Sequence, residues 1–252
     1  MIARNPNRRW IVAVALALVW ASAFCSSLVA APAGAREGTV RAREGTVRAK
    51  RPRLLAQAGA RRDDCVRLGG DGPLVDRSRE RALAGWKPEI AAYSKRHYNE
   101  YTWRLHPTCI VLHYTAGTTF PWNLTRSTSF AGEKPGLASH FVIAGTKIWQ
   151  ILPLDVRSRG AYGINHRAIN IEMVAANARD LSHRRTTLQT CVKLVRWLMA
   201  RYHISKAHVY SHAQVATMNR RVVPEVLDLV NPTPYHKVDP GAQNMRFIKA
   251  QL

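Results

Sequence analysis

The feature that most constrains this fold is the alternation of short apolar runs with one long amphipathic segment. Residues 186–202 place apolar side chains at every third or fourth position, which predicts a helix that covers a core. Pro88–Tyr98 predicts a second helix, with Pro88 in its first turn. Five runs have the length and composition of strands: Thr108–His113, Ser139–Ala144, Lys147–Leu152, Ala168–Val174 and Ala207–Tyr210. Strands interleaved with helices predict an α/β fold, a single domain with a central mixed β-sheet flanked by helices.

Composition supports a globular domain and excludes several protein classes. Apolar residues make up 46% of the 252 residues, which is enough to bury a sizeable core. Four cysteines without a C-x-x-C pair exclude a zinc ribbon and a disulfide-dense mini-protein. Serine-hydrolase, zincin and nucleotide-binding functions lose their main support, because G-x-S-x-G, H-E-x-x-H, P-loop and G-x-G-x-x-G motifs are all absent.

The formal net charge of +22 requires an explanation. A chain this basic can bind nucleic acid, an anionic membrane surface or another anionic polymer, and charge alone does not choose among them. The N-terminus argues against a specific nucleic-acid partner. Residues 1–35 combine a basic start, an apolar run over 11–24 and small residues up to Ala35, which is typical of a secretory signal peptide. We therefore expect export to the periplasm or cell envelope of a bacterium, or to its exterior.

A retained membrane anchor is the alternative to cleavage, because the apolar stretch can be extended to Ala33 and is then long enough to span a bilayer. After cleavage, the mature chain would keep Cys65, Cys109 and Cys191. Cys109 and Cys191 lie in apolar segments, so we expect both to be buried apolar side chains. The sequence leaves the pairing of these cysteines and the oligomeric state open.

A basic segment follows the predicted signal peptide. The heptapeptide AREGTVR occurs twice in succession, and basic residues continue to Arg62. Because residues 36–64 have almost no apolar periodicity, they predict a flexible tether that precedes a domain over 65–252. Its expected role is electrostatic contact with an anionic envelope surface. An idle linker left by a duplication is the other interpretation.

Polar residues stand at the ends or in the middle of the apolar runs. His113 ends CIVLH, Glu172 interrupts INIEMV, His212 follows VYS, and Asp239 lies beside Lys237 in HKVDPG. A carboxylate inside an apolar strand is costly unless it is paired or used. Two histidines and one carboxylate can hold a catalytic zinc ion, a second carboxylate can act as general base, and a lysine can stabilise an oxyanion.

Five segments in this order resemble the zinc-dependent N-acetylmuramoyl-L-alanine amidases of type 2: IVLHYTAG, ASHFVI, NHRAINIEMV, VYSHAQVA and KVDPG. That family includes bacterial cell-wall amidases, phage endolysins and animal peptidoglycan-recognition proteins. The resemblance covers residues 105–241. It implies a zinc site in a surface groove, one Zn²⁺ per chain, and hydrolysis of the amide between N-acetylmuramic acid and L-alanine in peptidoglycan or muropeptides.

The resemblance also implies a role for individual residues. His113, His212 and Asp239 match the zinc ligands, Glu172 the catalytic carboxylate and Lys237 the site lysine, while His140 and Asn165 are expected to line the substrate groove. Some relatives are non-catalytic peptidoglycan-recognition modules, which is the alternative function. Such relatives typically lose a ligand or the catalytic group, and here all are present, so the enzyme is favoured.

The chain departs from the family pattern at three places, one of which is the segment RSRGAYGIN in place of the usual Trp-His-Ala-Gly before the strand of Glu172. Asn170 stands where glycine usually precedes Ile-Glu, and the segment between His212 and Asp239 is lengthened by residues 217–236. The longer segment makes His236 a rival third ligand. Asp239 is favoured because it follows the Lys-x-Asp-Pro-Gly pattern and shares a face of an extended segment with Lys237.

Deletion of residues 36–62 tests the tether. We expect unchanged turnover of small soluble muropeptides and weaker binding to whole sacculi at low salt, since exposed charges act over a Debye length of about 10 Å. Activity assays and sacculus pull-downs at two salt concentrations measure both effects. An equal loss on both substrates would mean that the segment is part of the folded domain.

Overall fold

The computed structural model describes residues 64–252, which form one seven-stranded mixed sheet with helices on both faces. The predicted signal peptide, and the predicted tether up to residue 63, lie outside the described residues. The strands are β1 (Cys65–Arg67), β2 (Leu74–Asp76), β3 (Cys109–Tyr114), β4 (Phe141–Ala144), β5 (Lys147–Gln150), β6 (Ala168–Met173) and β7 (Val209–Ser211). The helices are α1 (Leu83–Tyr98), α2 (Asn123–Arg126), α3 (Ala178–His183), α4 (Arg185–Tyr202), α5 (His212–Ala216) and α6 (Ala242–Lys249). The predicted α/β fold with a central mixed sheet is confirmed.

The strand order is β1-β2-β5-β4-β6-β3-β7. Only β1–β2 and β4–β5 pair antiparallel, and the other neighbours are parallel. The predicted hairpin is β4–β5, in which Gly145 takes a φ of +59° that glycine adopts without strain. Strands β6, β3 and β7 run in the same direction, so their carboxyl ends meet at one edge of the sheet.

One face of the sheet packs on the long amphipathic helix. Apolar side chains of β3, β4 and β6 are buried in one cluster with apolar side chains of α4. The strands contribute Ile110, Leu112, Ile143, Ile169 and Ile171, and the helix contributes Leu188, Leu194, Val195 and Leu198. The observed helix begins one residue before the predicted range and ends where predicted. Cys191 and Cys109 are buried as expected, and burial raises the pKa of the Cys191 thiol to about 12. Cys65 is exposed, and no disulfide joins the cysteines of residues 64–252.

The opposite face carries the polar residues of the strands. Because side chains alternate along a strand, His113 and Glu172 point away from α4. The parallel register places His113 opposite Glu172, and Glu172 opposite Val142 of β4. Two register pairs back along the strands, and so on the same face, Asn170 lies opposite Val111. The sheet therefore sets the spacing of three polar side chains on two adjacent strands.

Helix α1 begins at Leu83, five residues before the predicted start at Pro88. The prediction placed Pro88 in the first turn, whereas it lies inside the helix. The extra turn is held by tertiary contacts, since Trp86 is buried and its indole Nε1 donates to the Arg157 carbonyl at 2.9 Å. The packing of Trp86 therefore outweighs the preference of proline for the first turn, and the helix begins before Pro88.

Several short elements were not predicted. Strands β1 and β2 have three residues each, which is too short for a periodic pattern. Strand β7 begins at Val209 rather than Ala207, because a 3-10 helix over Lys206–His208 precedes it. Within residues 64–252, no helix has the length and hydropathy needed to cross a membrane.

Candidate metal centre

Three separate segments bring His113, His212 and Asp239 together. His113 lies near the carboxyl end of β3, and His212 is the first residue of α5, directly after the neighbouring strand β7. A capping box fixes the start of α5, with the Ser211 hydroxyl accepting from the Gln214 amide at 3.0 Å. Asp239 belongs to the loop before α6, and its carbonyl accepts from the Ala213 amide at 3.1 Å. The sequence brings these segments to one place through strand order and these two local bonds.

The donor atoms of this group form a nearly equilateral triangle. Nδ1 of His113 lies 2.9 Å from Nδ1 of His212, and each lies 3.1 Å from Oδ2 of Asp239. All three residues are buried. Tetrahedral zinc with bonds near 2.0–2.1 Å needs donor separations of about 3.3 Å, which the triangle approaches. Among residues 64–252 no other cluster of histidine, cysteine or carboxylate side chains has a metal-binding arrangement.

The pKa values in this group reflect mutual contact. Burial disfavours the charged form of Asp239, but its close contacts with His113 and His212 outweigh the effect of burial and hold the pKa of Asp239 well below the ordinary range. Burial, together with the charge of His113, lowers the pKa of His212 to about 4. For His113, burial acts in the same direction, but the carboxylates of Asp239 and Glu172 raise its pKa. Asp239 is therefore ionised, and His212 is neutral near pH 7.

The outer ring nitrogens of both histidines also have partners. Nε2 of His113 lies 2.9 Å from Oδ1 of Asn170, which is fully buried on β6. Nε2 of His212 lies 3.2 Å from the hydroxyl of Tyr235, and that hydroxyl donates to the carbonyl of Tyr162 at 3.0 Å. Both imidazoles are thereby held at both nitrogens.

Glu172 lies beside this group in the register position opposite His113. The residue is partly exposed, but its Oε2 is buried without a hydrogen-bond partner among the described residues. Burial raises the pKa of Glu172, the charge of Asp239 adds to this, and the charges of His113 and Lys237 oppose it. Such a carboxyl group is suited to accept and return a proton.

The loop that carries Asp239 also contains Lys237, the predicted site lysine, and His236, the rival third ligand. Lys237 is exposed and close enough for its charge to act on Glu172 and His212. His236 is exposed and does not belong to the group of donor atoms. The geometry thus gathers His113, His212 and Asp239, and leaves the rival residue outside.

Residues 103–226 match the model of the N-acetylmuramoyl-L-alanine amidase family Amidase_2. The match spans just under half of the chain, and this part of it is an N-acetylmuramoyl-L-alanine amidase domain. Asp239 and Lys237 lie beyond the end of the match, so their placement rests on the geometry described above.

Solved structures of amidases resemble the domain at low sequence identity. The endolysin amidase LysCS from Clostridium intestinale URNW is 21% identical, with 60% of this chain and 91% of that chain covered and a TM-score of 0.43. LysC from the same organism is 22% identical over 60% and 93%, with a TM-score of 0.41. AmiD from E. coli, solved with an anhydro-N-acetylmuramic acid peptide, is 20% identical over 74% and 66%, with a TM-score of 0.39. No curated protein matches the chain significantly.

The prediction that His140 and Asn165 line the groove of the amidase domain is wrong. His140 is fully buried, where its Nδ1 accepts from the Asn170 amide at 3.0 Å and its Nε2 donates to the Val156 carbonyl at 2.9 Å. Asn165 is 1% exposed, and its Oδ1 accepts from the amides of Gly160 and Ala161. Both side chains hold backbone behind the site.

The lengthened segment, residues 217–236, packs tightly onto the amidase domain. Val223 and Val226 enter the core on the polar face of the sheet. Asp228 is buried, and its Oδ2 accepts from Nδ1 of His97 on α1 at 2.8 Å. The segment thereby positions Tyr235 against His212, a contact with no signal in the sequence. Asn170 did carry a signal, since an amide inside an apolar strand needs a partner just as Glu172 does.

Titration of His140 gives a test of this arrangement. Burial lowers the pKa of His140 to about 4 from an ordinary 6.5. Neutral His140 contributes its full stability above pH 6.5, and that contribution is lost as the pH falls towards 4, because the unfolded chain takes up the proton first. His140→Gln can keep both hydrogen bonds without titrating. We expect its free energy of unfolding to fall less between pH 6.5 and 4, by up to about 3 kcal/mol.

Denaturant unfolding of both chelator-treated proteins across this pH range measures the difference. Identical pH profiles for the parent and the His140→Gln variant would contradict the buried, neutral state of this histidine.

Proposed function

We propose that the amidase domain hydrolyses the amide between N-acetylmuramic acid and L-alanine in peptidoglycan or muropeptides, with one Zn²⁺ per chain. The observation that supports this most directly is the triangle of donor atoms beside an unpaired buried carboxylate oxygen. His113, His212 and Asp239 would hold the metal. Two imidazole nitrogens and one carboxylate oxygen are a donor set of catalytic zinc sites. When bound, zinc acts as a Lewis acid on a carbonyl and lowers the pKa of water to about 7.

Glu172 is the proposed general base and acid. Its carboxyl group lies next to the donor group, and burial has already raised its pKa, so it can take a proton from the attacking water. The same proton then passes to the amine nitrogen of L-alanine as the amide bond breaks. A free Oε2 suits this role, because a hydrogen bond to a neighbouring side chain would hold the carboxylate ionised.

Lys237 is the proposed electrostatic group. Its ammonium is exposed on the same loop as Asp239, and its charge reaches Glu172 and His212. In the transition state it would face the negative charge that develops on the carbonyl oxygen. Holding the charged ammonium of Lys237 at this position costs the protein little desolvation free energy, because the side chain remains exposed to solvent.

The net charge of the chain supports the proposed location of the enzyme in the cell envelope. A net charge of +22 favours anionic envelope polymers and stem peptides rich in carboxylates. Together with the apolar N-terminal run, it supports an exported enzyme that acts in the periplasm or cell envelope, with the basic segment as an electrostatic contact. A non-catalytic recognition module is the competing function, and it predicts binding of muropeptide without release of free stem peptides.

Glu172→Gln tests the chemistry. We expect the variant to fold and to keep one zinc per chain, while the rate of amide hydrolysis falls by about 10²–10⁴, because the amide cannot relay a proton. Mass spectrometry of digested sacculi and metal analysis of the same preparation measure both. Turnover like that of the parent would remove Glu172 from the mechanism, and loss of folding would favour a structural role.

Asp239→Ala and His236→Ala form a matched pair that tests the third ligand. Asp239→Ala should lose stoichiometric zinc and activity, because only two of the three proposed ligands, His113 and His212, remain. The second should retain about one zinc per chain, since His236 lies outside that group. Metal analysis after dialysis decides between them, and the reverse outcome would identify His236 as the ligand.

A further inference from the structure

We propose that Asn170 and Tyr235 are positioning residues that fix both ligand histidines in the tautomer with Nδ1 free for the metal. The inference rests on the proposed metal site. It concerns two neutral side chains that contact the outer ring nitrogens of these histidines, and it gives a role to two of the departures from the family pattern. One departure is a polar residue inside strand β6, and the other is the lengthened segment 217–236.

The direction of the Tyr235 bond follows from its second partner. A phenol has one proton, and here that proton is donated to the Tyr162 carbonyl at 3.0 Å, because a carbonyl can only accept. The Tyr235 oxygen therefore faces Nε2 of His212 as an acceptor, across 3.2 Å. Nε2 must then carry the proton, and Nδ1 keeps its lone pair directed at Asp239 and His113.

Asn170 does the same for His113. Its amide nitrogen Nδ2 donates to the Ser158 hydroxyl at 2.8 Å, which turns Oδ1 towards Nε2 of His113 at 2.9 Å. Its own backbone amide is held by His140. An acceptor at this position requires a proton on Nε2 of His113, so the ring again presents Nδ1 to the centre.

Gly160 makes room for Asn170. A Cβ atom at position 160 would lie 2.8 Å from Cγ and 2.9 Å from Cβ of Asn170, which is too close for either side chain to stay in place. The glycine is needed here for space. Side chains at 160 and 170 therefore compete for one volume on the polar face of the sheet.

The first test separates hydrogen bonding from packing at position 170. Asn170→Leu keeps the approximate volume and removes the acceptor, whereas Asn170→Asp keeps an acceptor oxygen. We expect the leucine variant to bind zinc about 10–100-fold more weakly and the aspartate variant to bind at least as tightly as the parent. Equilibrium titration with Zn²⁺ against a chromophoric chelator gives the dissociation constants without any assay of activity.

Tyr235→Phe and Gly160→Ala extend the test to residues outside the group of donor atoms. Tyr235→Phe keeps the ring beside His212 and removes only the hydroxyl, and Gly160→Ala displaces Asn170 from a distance. Both should weaken zinc binding by about 10–100-fold. Thermal unfolding of the zinc-free proteins accompanies each titration, so that a folding defect is recognised separately.

The outcomes separate this inference from the proposed function. If the parent binds no zinc, the proposed metal site itself fails. If the parent binds zinc and Asn170→Leu and Tyr235→Phe bind it equally well, the positioning role is overturned. Equal weakening by Asn170→Leu and Asn170→Asp would also overturn it, because packing alone would then explain the effect.

Discussion

The structure depends on placing the donor atoms of three buried polar residues within about 3 Å of one another. Burying such groups costs free energy unless each has partners. The parallel strands β3 and β7 end at the same edge of the sheet. They therefore place His113 and His212 next to each other on backbone that the sheet holds in position. The loop before α6 adds the third donor, because the hydrogen bond from the Ala213 amide to the Asp239 carbonyl holds Asp239 beside the two histidines.

The face of the sheet that carries these groups is built around them. On the other face, aliphatic side chains pack against α4 and tolerate no polar atoms. On this face Asn170, Glu172 and His113 replace the aliphatic pattern, and two valines of the segment 217–236 pack in the same apolar cluster as Val111 of β3. That segment is held by its own buried valines and by the contact between Asp228 and His97, so its position does not depend on a metal.

Periodicity predicted the strands and the helix that form the core, because burial on one face imposes a regular pattern on the sequence. It failed for β1 and β2, and at the start of α1, where a single buried tryptophan decides. For the site, the polar residues that interrupt apolar strands were recognisable, including His113 and Glu172. The role of Tyr235 was not, since a tyrosine within an irregular segment gives no pattern. His140 was misjudged because a histidine beside a strand can serve buried backbone as well as substrate.

The close contact between Gly160 and Asn170 has an evolutionary consequence. A side chain gained at position 160 requires a smaller residue at position 170, so neither position can drift freely. Among homologous chains the two positions should covary, with glycine at one accompanying a side chain at the other. The order of substitutions is then constrained, because the intermediate with two side chains disrupts the site, while the intermediate with two glycines merely leaves His113 without this acceptor.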